Sequence, residues 1–274
     1  MIWHCQGDEN MVNCIKESFG FEDLREIMEY LRRPEEGCPW DAAQTHASIR
    51  KNFLEEAYEV CEAIDRKDNV LMCEELGDTL FQVVFHTRIA EEEGAFTMED
   101  VTTGICKKMI ERHPHVFGQH EKLEKPEDTY NVWDAVKAQE KSQKTYTDAV
   151  NDVAKTLPAL MYAEKVQGRA KKSGFDWPAV SGAMDKVREE AAELQECIDR
   201  GEDIQEELGD LLFAAVNVAR MQDVDPEEAL LRATQKFMKR FALVEQMAGT
   251  ALKTMSIEDM TALWNKAKEQ TKSS

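Results

Sequence analysis

Apolar residues along most of the chain recur every three or four positions, which is the spacing of an amphipathic helix. The clearest stripes run over residues 49–64, 76–84 and 187–198. The sequence lacks runs that alternate apolar and polar residues between turn residues, as half-buried strands do. Prolines and glycines lie mostly in short clusters such as "RRPEEGCPW" and "SGFDWP". The pattern therefore predicts an all-α protein.

The helical pattern occurs twice, because the polar residues that interrupt it return in the second half in the same order. The recurring pairs are Glu56/Glu59 with Glu190/Glu193, Glu75/Asp78 with Glu207/Asp210, Lys108/Arg112 with Lys236/Arg240, and Trp133/Lys137 with Trp264/Lys268. The offset is constant within each pair and drifts by a few residues between pairs, as loop insertions between preserved helices would produce. The repeat predicts a tandem duplication of one helical module. Its parts are an irregular extension (residues 1–20), module 1 (21–140), a linker (141–156) and module 2 (157–271).

Each predicted module contains two helices that carry carboxylates three residues apart. Positions i and i+3 share a helical face and lie about 4.5 Å apart along the axis. The connections "DRKDN" and "DRGED" are short, so the two helices must be antiparallel neighbours. Four carboxylates are then expected to converge in each module: Glu56, Glu59, Glu75 and Asp78 in the first, and Glu190, Glu193, Glu207 and Asp210 in the second.

A lone pair of this kind is usually a solvated helix face, but the second pair of each module lies in unusually apolar sequence. "ELGDTLFQVVFH" and "ELGDLLFAAVNVA" are apolar on nearly every side, so these carboxylates are expected to face protein rather than bulk water. Buried ions without partners cost several kcal/mol each, and like charges raise one another's pKa. A divalent cation would remove both penalties, and oxygen ligands select Mg²⁺, with Mn²⁺ as a possible substitute. A di-iron site is excluded because no E-x-x-H ligand pair occurs.

Charge and cysteine usage narrow the class of protein. The formal net charge of −20 repels polyanions, so a nucleic acid polymer is not expected as a partner. The seven cysteines are scattered and form no C-x-x-C pair, which indicates neither a disulfide framework nor a zinc site. No signal peptide or membrane-spanning run is found in the sequence. We therefore expect a cytoplasmic protein without a membrane partner.

Two further repeated features suit a phosphorylated ligand. Lys108 with Arg112, and Lys236 with Arg240, place two cations on one helical face, as a polyphosphate requires. Surface helices carry many such pairs, so a single pair is weak evidence for a phosphate site, and its recurrence in both halves is the stronger argument. Trp133 and Trp264 follow in each half, and either base stacking or anchoring of the core would explain a tryptophan there.

These motifs resemble those of the MazG family of nucleoside triphosphate pyrophosphohydrolases. The resemblance rests on EExxE followed by ExxD in each half, and on "GCPWD", "ELGDTLFQVVFH", "RHPHVFG", "TLPAL" and "GFDW". It is strongest to the long bacterial members with two modules, and covers about residues 21–271. It implies four-helix-bundle-type modules that pair with another chain, and Mg²⁺-dependent hydrolysis of nucleoside triphosphates to the monophosphate and diphosphate.

The resemblance also assigns roles to residues of this chain. It implies metal ligands at the four carboxylates of each module. It implies nucleotide contacts at Lys236, Arg240 and Trp264 in module 2, and at Lys108, Arg112 and Trp133 in module 1. One difference lies before the acidic pair, where Lys186 in module 2, a further candidate substrate contact, corresponds to Asn52 in module 1. The difference favours module 2 as the more active module and module 1 as ancillary, although neither module lacks a metal ligand.

The mechanism that follows is attack of a metal-activated water on the α-phosphorus, while Lys236 and Arg240 neutralise the leaving diphosphate. Glu189, beside the metal pair, is either a general base or an ordinary surface glutamate. Two alternatives stay open on the same helical platform: a dUTPase-like or phosphoribosyl-ATP-type pyrophosphohydrolase, and a non-catalytic nucleotide-sensing scaffold.

A homodimer is expected mainly from the resemblance. One predicted helix of module 2 supports the dimer, because apolar residues occupy more sides of this helix than an isolated four-helix bundle can bury. These residues are Leu211, Leu212, Phe213 and Val216.

Overall fold

The computed structural model describes residues 17–118 and 145–272. Contacts divide the chain into two compact units, Met1–Val136 and Lys137–Ser274. Every regular element among the described residues is helical, with no strand, which confirms the all-α prediction. Trp133 and Lys137 lie outside the described residues, as do residues 1–16 of the predicted extension.

The first unit is built around a helical hairpin. Its helices are α1 (Phe21–Leu31), α2 (Pro39–Ala42), α3 (Arg50–Arg66), α4 (Asn69–Glu92), α5 (Met98–Arg112) and α6 (Pro114–Phe117). Helices α3 and α4 pack along each other, and α4 also contacts α1 and α5. The core lies at the C-terminal half of α4 and contains Met28, Ile49, Val84, Phe85, Ile89 and Met98. The N-terminal half of α4, which carries Glu75 and Asp78, extends beyond this core.

The second unit repeats the hairpin. Its helices are α7 (Tyr146–Asn151), α8 (Ala159–Lys171), α9 (Val180–Arg200), α10 (Gln205–Met221), α11 (Pro226–Ala248), a 3₁₀ helix (Gly249–Thr254) and α12 (Ile257–Gln270). Helices α9 and α10 form the hairpin, α8 packs against α10 and α11, and α12 packs against α11. The short helix α7 lies inside the segment predicted as a linker and packs against α8.

Tight turns make both hairpins antiparallel. Lys67 caps the C-terminus of α3 in a left-handed conformation with a φ of 55°. Gly201 caps the C-terminus of α9 in the same way, with a φ of 70°. The next helix of the first unit is capped by Asp68, whose Oδ1 accepts hydrogen bonds from the backbone N–H of Val70 (3.0 Å) and Leu71 (3.1 Å). The left-handed residue and the cap reverse the chain within a few residues, so the acidic faces of the two helices meet.

Large apolar side chains remain exposed on the second hairpin. Leu212 and Phe213 are 50% and 45% exposed, whereas Val216 is buried in its own unit. Of the residues that support a dimer, Val216 therefore belongs to the internal core, while Leu212 and Phe213 remain available to a partner. Among the described helices, none combines the length and the apolar character that crossing a bilayer requires.

Candidate functional site

The carboxylates of the first hairpin converge as the repeat predicted. One carboxylate oxygen each from Glu56, Glu75 and Asp78 lies within 4.8 Å of the others. The charge of Glu59 raises the pKa of both Glu56 and Glu75, so Glu59 lies beside them and all four side chains share one site. We call this group the first carboxylate cluster.

The first cluster carries uncompensated negative charge. Burial raises the pKa of Glu56, and the charges of Asp78, Glu59 and Glu75 raise it further. Burial also raises the pKa of Glu75, followed by the charges of Glu59, Asp78 and Glu74. No basic group counteracts either shift within the described part of the chain. Electrostatically, the cluster favours protons or a cation.

The second hairpin holds an equivalent group. Oxygens of Glu190, Glu193 and Glu207 lie within 4.8 Å of one another, and we call these residues with Asp210 the second carboxylate cluster. A hydrogen bond between Glu193 and Glu190 is the largest cause that raises the pKa of Glu193, ahead of burial and the charge of Glu190. The close approach of these carboxylates therefore favours a cation at this cluster.

Lys186 distinguishes the second cluster from the first. Its Nζ lies 2.6 Å from Oε1 of Glu190 and 2.8 Å from Oε1 of Glu189. These hydrogen bonds, first to Glu189 and then to Glu190, raise the pKa of Lys186. Asn52 stands at the equivalent position of the first hairpin and brings no charge. Of the two clusters, the second therefore has a lysine placed one helical turn before its most buried carboxylate.

Burial within the clusters differs from the expectation based on apolar neighbours. Glu190, from the first pair of its module, is only 4% exposed. Asp78 and Asp210, from the second pairs, are exposed, and Glu75 and Glu207 are partly buried. Apolar neighbours did not predict burial because several of them, such as Leu208 (42% exposed), are themselves exposed. The mouth of each cluster is therefore open on the side of the aspartate.

The candidate nucleotide contacts of module 2 lie on its last two helices. Lys236 and Arg240 are one turn apart on α11, and Nε of Arg240 donates to Oγ1 of Thr271 at 3.0 Å. The ring of Trp264 on α12 lies 5.2 Å from that of Phe237. Trp264 is therefore packed against its own unit on one side and keeps a partly exposed face. Among the described residues, no hydrogen bond or ion pair joins these three residues to the second cluster.

The equivalent residues of module 1 are only partly described. Lys108 is exposed on α5, and Arg112 lies one turn later on the same helix. Trp133, the third predicted contact of this module, lies outside the described residues.

Sequence reasoning missed an ion pair that supports the second hairpin. Arg220 on α10 forms a bidentate pair with Asp176 of the "GFDW" loop, and the two side chains are 9% and 16% exposed. The guanidinium bonds hold the pKa of Asp176 below its usual value. The signal was present in the repeat, because Arg220 and Arg88 follow their clusters at the same distance.

Both clusters have the chemistry of a site for a hard divalent cation. Their donors are oxygen atoms only, and the ligands of one Mg²⁺, at about 2.1 Å from it, lie no more than about 4.2 Å apart. Three oxygens in each cluster, from Glu56, Glu75 and Asp78 and from Glu190, Glu193 and Glu207, lie within 4.8 Å of one another and are near that limit. A cation would also remove the repulsion that raises the pKa values of Glu56, Glu75 and Glu193. The residues therefore fit a metal ion.

Comparison with known proteins agrees with this geometry. The profile of the MazG nucleotide pyrophosphohydrolase domain matches residues 44–117 and 180–244, which contain the two hairpins. The chain is 47% identical over 251 residues to the nucleoside triphosphate pyrophosphohydrolase/pyrophosphatase MazG of Thermotoga maritima, covering 90% of this chain and 95% of the relative. It is 42% identical over 255 residues to the nucleoside triphosphate pyrophosphohydrolase of Escherichia coli K12, covering 90% and 96%. It also resembles the uncharacterized protein YabN of Bacillus subtilis, with 45% identity over 255 residues that cover 91% of this chain and 52% of YabN.

Proposed function

We propose that this chain, which belongs to the MazG family of nucleotide pyrophosphohydrolases, hydrolyses nucleoside triphosphates to the monophosphate and diphosphate. The observation that carries the proposal is the pair of carboxylate clusters, each built on an antiparallel hairpin and each with three carboxylate oxygens within 4.8 Å of one another. A triphosphate is the anionic substrate that such a site can hold once a metal ion is bound.

Mg²⁺ is the proposed metal. Glu190, Glu193, Glu207 and Asp210 would hold it in module 2, and Glu56, Glu59, Glu75 and Asp78 in module 1. When bound, Mg²⁺ offsets the charge of the triphosphate and lowers the pKa of a water molecule. Mn²⁺ shares its preference for oxygen ligands and is the proposed substitute.

The basic residues of module 2 provide the remaining functions. Lys186, fixed between Glu189 and Glu190, is placed to neutralise a phosphate oxygen at the mouth of the second cluster. Lys236 and Arg240 bind the diphosphate and stabilise its charge as it leaves after in-line attack of water on the α-phosphorus. Trp264 supports the nucleotide beside them.

Glu189 has a different role from the general base considered from sequence. Its carboxylate is exposed and accepts a hydrogen bond from Lys186 at 2.8 Å. This hydrogen bond holds the ammonium group of Lys186 beside Glu190 of the second cluster. We assign Glu189 the role of positioning Lys186.

A homodimer is the proposed assembly, with nucleoside triphosphates as the ligands of both protomers. A second chain would cover exposed apolar residues on two helices of the second unit. They are Leu212 and Phe213 on α10, and Phe237, Met238 and Phe241 on α11.

The deciding experiment is a substrate panel. The full chain is incubated with Mg²⁺ and ribo-, deoxyribo- and oxidised nucleoside triphosphates, and with phosphoribosyl-ATP. Monophosphate and diphosphate are quantified together, and equal amounts of the two are expected. The double variant Glu59→Gln/Glu193→Gln should lose activity by at least about 100-fold, since a metal ligand is removed from both clusters. Release of orthophosphate instead, or full activity of the double variant, would refute the proposal.

A further inference from the structure

The second unit contains a cavity beside its hairpin, outside the carboxylate cluster. It has a volume of about 320 Å³, which is near the lower end of small-molecule sites. The cavity lies between α8, the "GFDW" loop and α10. Its walls include Gln167, Phe175, Trp177, Phe213, Asn217 and Arg220.

The internal repeat explains the space. The position of Asn217 on α10 corresponds to Phe85 on α4, because both follow the E-x-x-D motif by seven residues. Phe85 is 1% exposed, its ring meets that of Trp40 edge-on at 6.5 Å, and the guanidinium of Arg32 lies over it. In the second unit an asparagine replaces this ring, while a tryptophan is retained at Trp177. The cavity therefore lies where the first unit holds a phenylalanine.

Gln167 brings an unused acceptor to this cavity. The residue is 7% exposed, and its Nε2 donates to the backbone oxygen of Phe213 at 2.8 Å. That bond fixes the orientation of the amide, since the opposite orientation would set two oxygens against each other. Oε1 accepts no hydrogen bond in the structure. Buried polar atoms are nearly always paired, so an unpaired one on a cavity wall points to a ligand.

Asn217 brings a donor. Its Oδ1 accepts hydrogen bonds from Nε (3.2 Å) and Nη2 (2.6 Å) of Arg220, which fixes the amide. Arg220 is itself held by Asp176. The Nδ2 group is left for a ligand and, among the described residues, donates to no acceptor. The cavity thus offers one acceptor and one donor from two rigidly held amides.

Aromatic side chains form much of the remaining wall. Trp177 lies against α9, where Gly182 makes room for it, because a Cβ at that position would come within 2.6 Å of the indole Cε3. Phe175 and Phe213 add two more rings, and Phe175 is 84% exposed. Flat rings bind by stacking on such side chains.

We propose that this cavity binds a nucleobase: a flat nitrogen heterocycle that donates a hydrogen bond to Gln167 Oε1 and accepts one from Asn217 Nδ2. Two sources share this chemistry. One is the base of a nucleotide whose phosphates lie at the second cluster, since Phe213 and Asn217 follow Asp210 by one and two helical turns on the same helix. The other is a free nucleoside that acts as an effector.

The test is calorimetric titration of the full chain with adenosine, guanosine, cytidine and uridine in metal-free buffer containing a chelator. Nucleosides carry no phosphate, so they do not bind through the carboxylate clusters. At least one nucleoside should bind. The variant Asn217→Phe, which restores the ring of the first unit, and the variant Gln167→Met, which removes the acceptor, should each weaken binding by at least tenfold.

A matched control shows whether nucleoside binding depends on this cavity in particular. Gln82→Met removes a second buried amide with an unpaired Oε1, in the first unit, and should leave the affinity unchanged. Thermal unfolding of every variant establishes that it is folded, and Gln167→Met serves if Asn217→Phe does not fold.

Competition identifies the source. If a nonhydrolysable nucleoside triphosphate with Mg²⁺ displaces the nucleoside, the cavity holds the base of the substrate; if both bind together, it holds a separate effector. The proposal is overturned if no nucleoside binds at millimolar concentration, or if Asn217→Phe and Gln167→Met both bind with the affinity of the unmodified chain. Hydrolysis by the unmodified chain is measured in parallel, so that loss of this proposal leaves the proposed function untouched.

Discussion

At the scale of single residues, Lys186 and its partner Glu190 show how one substitution makes the two duplicated clusters electrostatically different. Glu190 is nearly buried, and the ammonium group of Lys186, 2.6 Å away, compensates for its charge. Glu56, its equivalent, has acidic neighbours only, and Asn52 stands where the lysine would be. The lysine lowers the cost of ionising the second cluster before any metal or substrate arrives.

Replacement of Lys186 by methionine should lower diphosphate release by at least about tenfold, because a charged donor at the cluster is lost. Steady-state kinetics at saturating Mg²⁺ measures the effect. The control is Arg188→Met, which removes an exposed cation from the same helix, where it pairs only with Asp185. Equal activity of the two variants would contradict the role given to Lys186.

Asp176 gives a pH-dependent prediction. Its hydrogen bonds with Arg220 depress its pKa below the usual 3.8, so the ion pair stabilises the fold fully above that value and is lost as the pH falls through the folded-state pKa. Asp176→Asn should therefore lower the stability at pH 7 by about 3 kcal/mol, because it leaves a buried guanidinium without its partner. The difference between variant and parent should shrink below about pH 4 and vanish below the folded-state pKa.

Thermal unfolding followed by circular dichroism between pH 2 and pH 8 measures this difference. Asp185→Asn, at an exposed pair with Arg188, is the control and should change the unfolding temperature little at any pH. A destabilisation by Asp176→Asn that is the same at pH 2 and pH 7 would show that the ion pair is not its cause.

At the scale of elements, the turn of each hairpin sets how the clusters form. The first turn uses Lys67 in a left-handed conformation with φ 55°, and the second uses Gly201 with φ 70°. A side chain in this conformation costs about 1 kcal/mol relative to glycine. Lys67→Gly should therefore stabilise the first unit by about that amount, and Gly201→Lys should destabilise the second by a similar amount.

Each variant serves as the control for the other, because each places the turn residue of one module at the equivalent position of the other module. Unfolding temperatures of the two variants should move in opposite directions. If the greater chain entropy of glycine in the unfolded state dominated instead, both signs would reverse, with Lys67→Gly destabilising and Gly201→Lys stabilising the protein.

Much of the element arrangement was predictable from sequence, whereas parts of the site were not. Helical spacing and short turns fixed the hairpins and the convergence of Glu56, Glu75 and Asp78. The burial of Glu190 and the exposure of Asp210 were not predictable, because periodicity gives the face of a helix but not how far neighbouring elements cover it. The cavity depends on Asn217 and on the orientation of the Gln167 amide, which tertiary packing determines and no motif encodes.

At the scale of the whole molecule, the exposed apolar residues of α10 and α11 predict self-association. Light scattering in buffer with Mg²⁺ should give a mass twice that of the 31.3 kDa chain. Phe237→Asp or Met238→Asp, at residues 55% and 63% exposed, should shift the mass toward that of one chain. A monomer mass for the unmodified protein would contradict the homodimer. The cytoplasmic location expected from the sequence is a separate prediction that light scattering does not test.

The two modules are predicted to contribute unequally to turnover. Each cluster brings three carboxylate oxygens within 4.8 Å of one another, but only the second has a lysine at its buried glutamate. Glu193→Gln should therefore abolish most diphosphate release, whereas Glu59→Gln should reduce it only a few fold. The expected reason is electrostatic: without Lys186 or an equivalent, the first cluster offers less stabilisation to a substrate oxygen that becomes more negative in the transition state. Steady-state rates of the two single variants measure how much each module contributes to turnover. Magnesium-dependent shifts of the unfolding temperature establish that metal binding survives at the cluster that was not changed. A larger loss in Glu59→Gln than in Glu193→Gln would assign the main activity to module 1 and would remove Lys186 as the residue that distinguishes them.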